Sequence, residues 1–308
     1  MLQFAPQWDM ISLHQDSIVE TRMSQSKGQS RPLSLPRRLV MDLLHFARNV
    51  PLIPMERTMR LQPLVLARRR ATPYLGWCAL FTKAFAINSA RRPELRDSYL
   101  PYPWPRLYRH DDSIATIIVE RQLDGENVLL PYYMRNADQQ TLPDIQVQLN
   151  HAKTAPFESI NSFHRTLLMG RYPGFIRRSI CKLVLNWWGR KRAKRFGTFA
   201  VSATAAMGAG QLAVISPTTC TLHYGLLEAD GSLPVRITFD HRVLDGADVA
   251  RVLAELEGVL LEEILPEVRE LDGVDVSVLH PLTRLNQPYK HLVPGSNYKL
   301  LRTKQGCY

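Results

Sequence analysis

Between Leu233 and Leu260 the apolar period changes once, from two residues to about three and a half, and that change dictates a strand, a turn and a helix in succession. In 233–239, Val235, Ile237 and Phe239 point to one side, while Arg236, Thr238 and Asp240 point to the other. From Asp248 onward, Val249, Val252, Leu253, Leu256, Val259 and Leu260 form a single buried stripe. The joint between the two elements carries His241, Asp245 and Gly246 in the spacing H-x-x-x-D-G. Loops at strand ends are where a rigid scaffold displays functional side chains. An imidazole, with an ordinary pKa of about 6.5, can take a proton near neutral pH. A thiol, at about 8.5, attacks as thiolate and gains from such a base. Gly246 permits backbone conformations that other residues resist. The plain alternative is that His241 merely tops the strand and Asp245 caps the helix.

The remaining segments fit around this module. Val40, Leu43, Leu44 and Ala47 share one face of a helix that Pro51 and Pro54 end. Residues 55–61 alternate as a strand, and 72–90 read as a helix opened by Thr72-Pro73. Asp124-Gly125 joins strands at 114–120 and 128–133 into a hairpin. Asn136 and Asp138 are candidate caps for a helix over 142–151. Short strands follow at 199–202 and 219–227. This order predicts an α+β sandwich with a mixed sheet rather than a regular β-α-β winding. Residues 1–31 read as a flexible lead-in, 32–273 as the folded domain and 274–308 as an irregular tail.

The net charge of +11 is concentrated. From Arg165 to Arg195 basic residues recur, and no acidic residue occurs between Ser159 and Leu227. Within 157–195 they alternate with apolar and aromatic residues, Trp187 and Trp188 among them, which predicts two basic amphipathic helices over 162–169 and 175–188. Arg190, Lys191, Arg192, Lys194 and Arg195 are candidate contacts for an anion or an anionic membrane surface. The alternative is a helical pair packed on the protein's own surface with its charges solvated. No nucleic-acid motif accompanies the charge, which argues against specific nucleic-acid binding. Cys78, Cys181, Cys220 and Cys307 form no C-x-x-C pair, and His45, His110, His164 and His223 have no ligand spacing, so no metal site is expected. Without a signal segment or an apolar run of membrane-spanning length, the expected setting is cytoplasmic, with peripheral membrane attachment as an extension.

Asp240-His-Arg-Val-Leu-Asp-Gly-Ala247 resembles the active-site signature of the 2-oxoacid dehydrogenase acyltransferase (dihydrolipoyl acyltransferase) catalytic domains, which belong to the chloramphenicol-acetyltransferase-like superfamily. Further segments resemble the same family in the same order. They are Pro32-Leu-Ser-Leu-Pro-Arg-Arg38, Tyr108-Arg-His-Asp-Asp-Ser-Ile114, Met134-Arg-Asn-Ala-Asp138 and Phe196-Gly-Thr-Phe-Ala-Val-Ser202. The resemblance spans roughly 32–270 and is poor over 157–195, which reads as an insertion. It implies a two-layer sandwich assembled as a homotrimer, with active sites in channels between subunits that take His from one copy and Ser from its neighbour. His241 would be the general base, Ser202 the donor to the oxyanion, and Asp245 a loop anchor paired with Arg37. Ala203-Thr-Ala-Ala-Met207 departs from the family's continuation after the serine.

The family's lipoyl-lysine motif and Ala/Pro-rich linkers are not found, so the resemblance is to a stand-alone form with no covalently attached lipoyl group. The acyl group would then move between a thiol carrier, coenzyme A before a separate carrier protein, and an acceptor that the sequence does not name. Two other functions stay open: a non-catalytic trimeric scaffold, and a peripheral membrane-binding module using 165–195.

Overall fold

Six strands build the main sheet of the computed structural model, which describes residues 30–272. They are β1 (Leu52–Arg60), β4 (Ile114–Leu123), β5 (Glu126–Arg135), β6 (Phe199–Ser202), β7 (Cys220–Tyr224) and β8 (Ser232–Asp240), in the spatial order β1-β8-β7-β6-β4-β5. β2 (Asp97–Leu100) and β3 (Arg106–Arg109) form a separate ribbon. The β4–β6 and β6–β7 pairs are parallel and the other pairs antiparallel, so the sheet is mixed as expected. The β4–β5 hairpin closes through Asp124 and Gly125, both at positive φ (52° and 80°), the turn whose twist matches that of the strands. The lead-in up to residue 29 and the expected tail lie outside the described residues.

One face of the sheet carries Phe199, Val201, Leu222, Val235, Ile237 and Phe239, all fully buried. Against it pack α3 (Trp77–Arg91), α4 (Leu142–Thr154) and α8 (Gly246–Val259), giving the expected α+β sandwich. A wider turn at Leu260–Ile264 leads from α8 into α9 (Leu265–Glu270).

Local chemistry moved several boundaries. α1 spans Leu35–Ala47 and stops before Pro51, whereas Pro54 lies inside β1. β1 is an edge strand, where a missing N–H is tolerated. An unanticipated helix, α2 (Gln62–Arg70), has Pro63 at its start and three arginines in its last turn, both favourable for a helix. α3 begins at Trp77 rather than near Thr72, because Gly76 is its N-cap and donates its N–H to Gln146 Oε1 at 2.7 Å. The cap of α4 is Thr141, whose Oγ1 accepts from the Asp144 N–H. Asn136 instead takes a left-handed turn conformation (φ 47°) upstream.

The basic segment forms three helices rather than two: α5 (Asn161–Arg171), α6 (Gly174–Asn186) and α7 (Gly189–Phe196). With α1 they overlie the outer face of the sheet near β4 and β5. A carboxylate from outside the segment clamps it: buried Asp42 of α1 accepts from Arg177 Nε at 2.7 Å and Arg178 Nε at 3.0 Å. A buried carboxylate is tolerable only with such partners.

Candidate active site

The turn after β8 is held from several sides. The buried Asp240 carboxylate accepts from the Arg242 backbone N–H (3.0 Å) and from its Nε and Nη2 (2.9 and 2.7 Å). The Arg242 guanidinium also lies 4.6 Å from the Tyr99 ring centroid. His241 donates its backbone N–H to Pro51 O at 3.0 Å. Its ring is fixed by Nδ1, 3.0 Å from Leu244 O. A carbonyl can only accept, so the proton sits on Nδ1 and the Nε2 lone pair is left to take a proton. Asp245 Oδ1 lies 3.5 Å from the same Nδ1 and favours the same tautomer. The His241 side chain is 42% exposed, so a reactant can reach it.

Asp245 occupies the N-cap position of α8, but its side chain makes no cap hydrogen bond; its carbonyl accepts from the Asp248 and Val249 N–H groups instead. The plain capping role therefore does not describe the carboxylate. The expected Arg37–Asp245 pair does not form within the chain. Arg37 is exposed in the first turn of α1, ten residues before its end at Ala47, or about 15 Å at the helical rise. Only the far end of that helix leads to Pro51 and the His241 turn. Gly246 is not in a positive-φ conformation. An added Cβ would lie 3.2 Å from Met55 Cε, a tight contact with the end of a flexible side chain.

Ser202 ends β6, is 7% exposed, and donates its Oγ to Gln211 Oε1 at 2.8 Å. It belongs to a polar row across the outer face that sequence reading missed. Ser202 pairs in register with His223, and His223 with Arg236, which is bonded to Glu56. Gln211 ties the row together, since its carbonyl accepts from Arg236 Nη1 at 2.9 Å. Burial, with Arg236 adding, pushes the His223 pKa down to about 4, so this imidazole is neutral. The partners of Ser202 come from a loop and two further strands, which no local spacing reveals.

The same register separates Ser202 from His241. Ser202 is level with Arg236, and His241 lies five residues further along β8 (from 236 to 241). At about 3.3 Å per residue that is roughly 16 Å along the strands, with two strand spacings of about 4.8 Å each across them. Within one chain, the two residues stand at opposite ends of the sheet.

Two cavities open on this outer face. A groove of about 370 Å³ has Ser202 among its lining residues, with apolar walls that include Leu39, Leu43, Ile118, Met169 and Val184. A cleft of about 610 Å³ beside the His241 turn collects His45, Arg48, Lys182 and Arg242. The two share Leu43, Ile215, Ser216 and Pro217 as a common wall. Of the predicted anion or membrane contacts, Arg192 is corrected: it is buried and donates to Tyr99 O (2.8 Å), Leu185 O (3.1 Å) and Pro217 O (2.9 Å). Burial pushes its pKa down to about 10. Arg190, Lys191, Lys194 and Arg195 are exposed, as are Trp187 and Trp188, and Lys191 Nζ sits 3.9 Å from the Trp188 ring centroid. No helix among the described residues is long and apolar enough to cross a membrane. Nor do their His, Cys, Asp and Glu side chains gather in a group that could hold a metal ion. Burial raises the pKa of Cys78 and Cys181 to about 11, and that of Cys220 further.

The mixed six-stranded sheet and its covering helices make an α+β sandwich with a histidine at a strand end. No known protein-family pattern and no curated protein matches the sequence. Solved structures do. A truncated catalytic core of the 2-oxoacid dehydrogenase multienzyme complex from Thermoplasma acidophilum aligns at 15% identity over 76% of this chain and 99% of that one, with a TM-score of 0.55. Azotobacter vinelandii dihydrolipoamide acetyltransferase aligns at 18% identity over 86% and 100%, with a TM-score of 0.53. That structure belongs to a study of the roles of a serine, a histidine and an asparagine in its catalytic mechanism. The cubic core of a pyruvate dehydrogenase multienzyme complex gives the same identity, coverage and score. The fold of this chain is that of the 2-oxoacid dehydrogenase acyltransferase catalytic cores.

Proposed function

We propose that the protein is an acyltransferase that moves an acyl group between coenzyme A and a second acceptor, at sites shared between copies of the chain. The observation that carries this reading is the His241 ring, pinned through Nδ1 to Leu244 O with Nε2 left as a base at an accessible strand end. Coenzyme A supplies a thiol that carries the acyl group as a thioester. His241 Nε2 takes the proton of the nucleophile attacking the thioester carbonyl, Asp245 beside Nδ1 stabilises the resulting imidazolium, and the proton returns to the coenzyme A thiolate as the C–S bond breaks. Ser202 Oγ, released from Gln211, donates to the acyl oxygen as negative charge develops there. His45, Arg48 and Lys182 in the cleft suit the phosphates of such a carrier, whereas Arg242 is paired with Asp240 there.

The strand register supports a homo-oligomeric site, a trimer by resemblance, because His241 of one chain cannot meet its own Ser202. Self-association also fits the multienzyme cores that share this fold. The test is chromatography of free coenzyme A released from acetyl-coenzyme A with dihydrolipoamide as probe acceptor. Release is expected from the natural protein and not from His241→Ala; equal release from both refutes the mechanism.

A second reading, docking on an anionic membrane, is favoured by exposed Trp187 and Trp188 beside Arg190 and Lys191. Flotation with phosphatidylserine vesicles is expected to lift the natural protein and not the Arg190→Glu/Lys191→Glu variant. Failure of the natural protein to float removes this reading.

A further inference from the structure

The apolar groove beside Ser202 has a shape and chemistry that acetyl transfer alone would not call for. Its floor is a row across three strands. Ile117 is level with Val201 and Ile118 with Pro131, so the next position along places Ser202, Ile118 and Pro131 side by side. Leu39 and Leu43 of α1, Met169 of α5 and Val184 of α6 complete its lining. At the serine end Ser202 Oγ is joined by Thr204 Oγ1, a buried hydroxyl with no partner among the described residues, and Glu120, Tyr133, Arg165, Lys194 and Arg195 also border the groove. The volume of about 370 Å³ falls in the range of roughly 300–1,000 Å³ typical of small-molecule sites.

We propose that this groove is an acyl-chain site. It takes the hydrocarbon chain of the transferred acyl group, with the carbonyl at Ser202 and the chain running over Ile118 and Pro131. The proposal rests on the acyltransferase reading and names its substrate class: acyl groups longer than acetyl. The backbone of the floor decides between a hydrocarbon and a peptide. At Thr116 and Ala200, which line the floor, β4 and β6 are paired with each other and with β5 and β7, so this part of the floor offers no free N–H or C=O to a peptide. A peptide there would leave its own polar groups unpaired, whereas a hydrocarbon has none to pair. α5 and α6, two of the three helices in the segment least like the acyltransferase family, supply part of the lining.

The experiment is calorimetric binding of acetate, hexanoate and decanoate to the full chain. Affinity is expected to rise with length, by about fourfold for each methylene that is buried. Ile118→Lys, a change at a 37% exposed floor position, is expected to flatten the series, while Leu226→Lys, an exposed apolar residue outside the groove, is expected to preserve it. Thermal melts of both variants establish that they are folded. A series flat in the natural protein overturns the proposal, as does a rising series unchanged by Ile118→Lys. The same series read beside acyl transfer keeps the two readings apart. In the natural protein, a rising series without acyl transfer leaves the groove standing and removes the transferase, and a flat series with acyl transfer does the reverse.

Discussion

Replacing Arg192 with methionine tests whether the basic segment is a part of the fold or a charged appendage. The guanidinium holds three backbone carbonyls, of Tyr99, Leu185 and Pro217, and so joins the β2 ribbon, the end of α6 and the loop before β7. Leu185 O is among the last carbonyls of α6, which the helix itself cannot satisfy. Removing the donor strands three acceptors at about 1–3 kcal/mol each, a gross loss of roughly 3–9 kcal/mol. Against this stands the relief of a buried cation. The fall of its pKa from the ordinary value to about 10 corresponds to about 3 kcal/mol. The loss outweighs the relief at the middle of the range, so the net destabilisation is about 3 kcal/mol. For a chain of this size that lowers Tm by about 6–12 °C. Urea unfolding and thermal melts of Arg192→Met and of Arg190→Met measure it, with the exposed Arg190 expected to stay within about 0.5 kcal/mol. An Arg192→Met protein as stable as the parent would refute the reasoning.

Two other outcomes follow from the site and the buried histidines. Ser202→Ala is expected to lower kcat for acyl transfer by about 10²–10³-fold. Thiol-carrier binding measured by calorimetry should change little, and an equal loss in both would assign the serine to binding. His110 and His223 are pushed down to about 4, chiefly by burial and further by Arg192 and Arg236 respectively. Between about 6.5 and 4 the unfolded chain binds protons that the folded chain does not, so stability falls as pH drops through that window, by up to about 3 kcal/mol per histidine. Urea midpoints from pH 7 to pH 4.5 check this, and His110→Gln should flatten the slope.

The parts of the structure legible from sequence were those carried by local pattern. The β8–α8 module declared itself by its change of period, and the β4–β5 hairpin by Asp124-Gly125, whose backbone requirement few other pairs meet. Ser202 and His241 could be named, but not their separation, because register across β6, β7 and β8 is a property of pairing. Arg192 looked like its neighbours in a run of charges. Only the docking of α7 decides that this residue turns inward while Arg190, Lys191, Lys194 and Arg195 stay outside. Asp42, the counter-charge of Arg177 and Arg178, comes from a helix more than a hundred residues earlier. Arg37 failed as a partner for Asp245 for a related reason: a helix carries its first turn away from whatever its last turn approaches. The groove draws its floor from β4, β5 and β6 and its walls from α1, α5 and α6, so no stretch of sequence contains it.

The proposed reaction centre is shared between chains, and mixing two crippled variants tests it directly. His241→Ala and Ser202→Ala copies, co-refolded or co-expressed with distinct tags and purified through both, form mixed oligomers. Some of their interfaces then pair an intact histidine from one copy with an intact serine from another. Release of free coenzyme A from an acyl donor is expected to rise in the mixed oligomers well above the residual rate of either single variant. Mixed oligomers as inactive as their parents would contradict a shared centre.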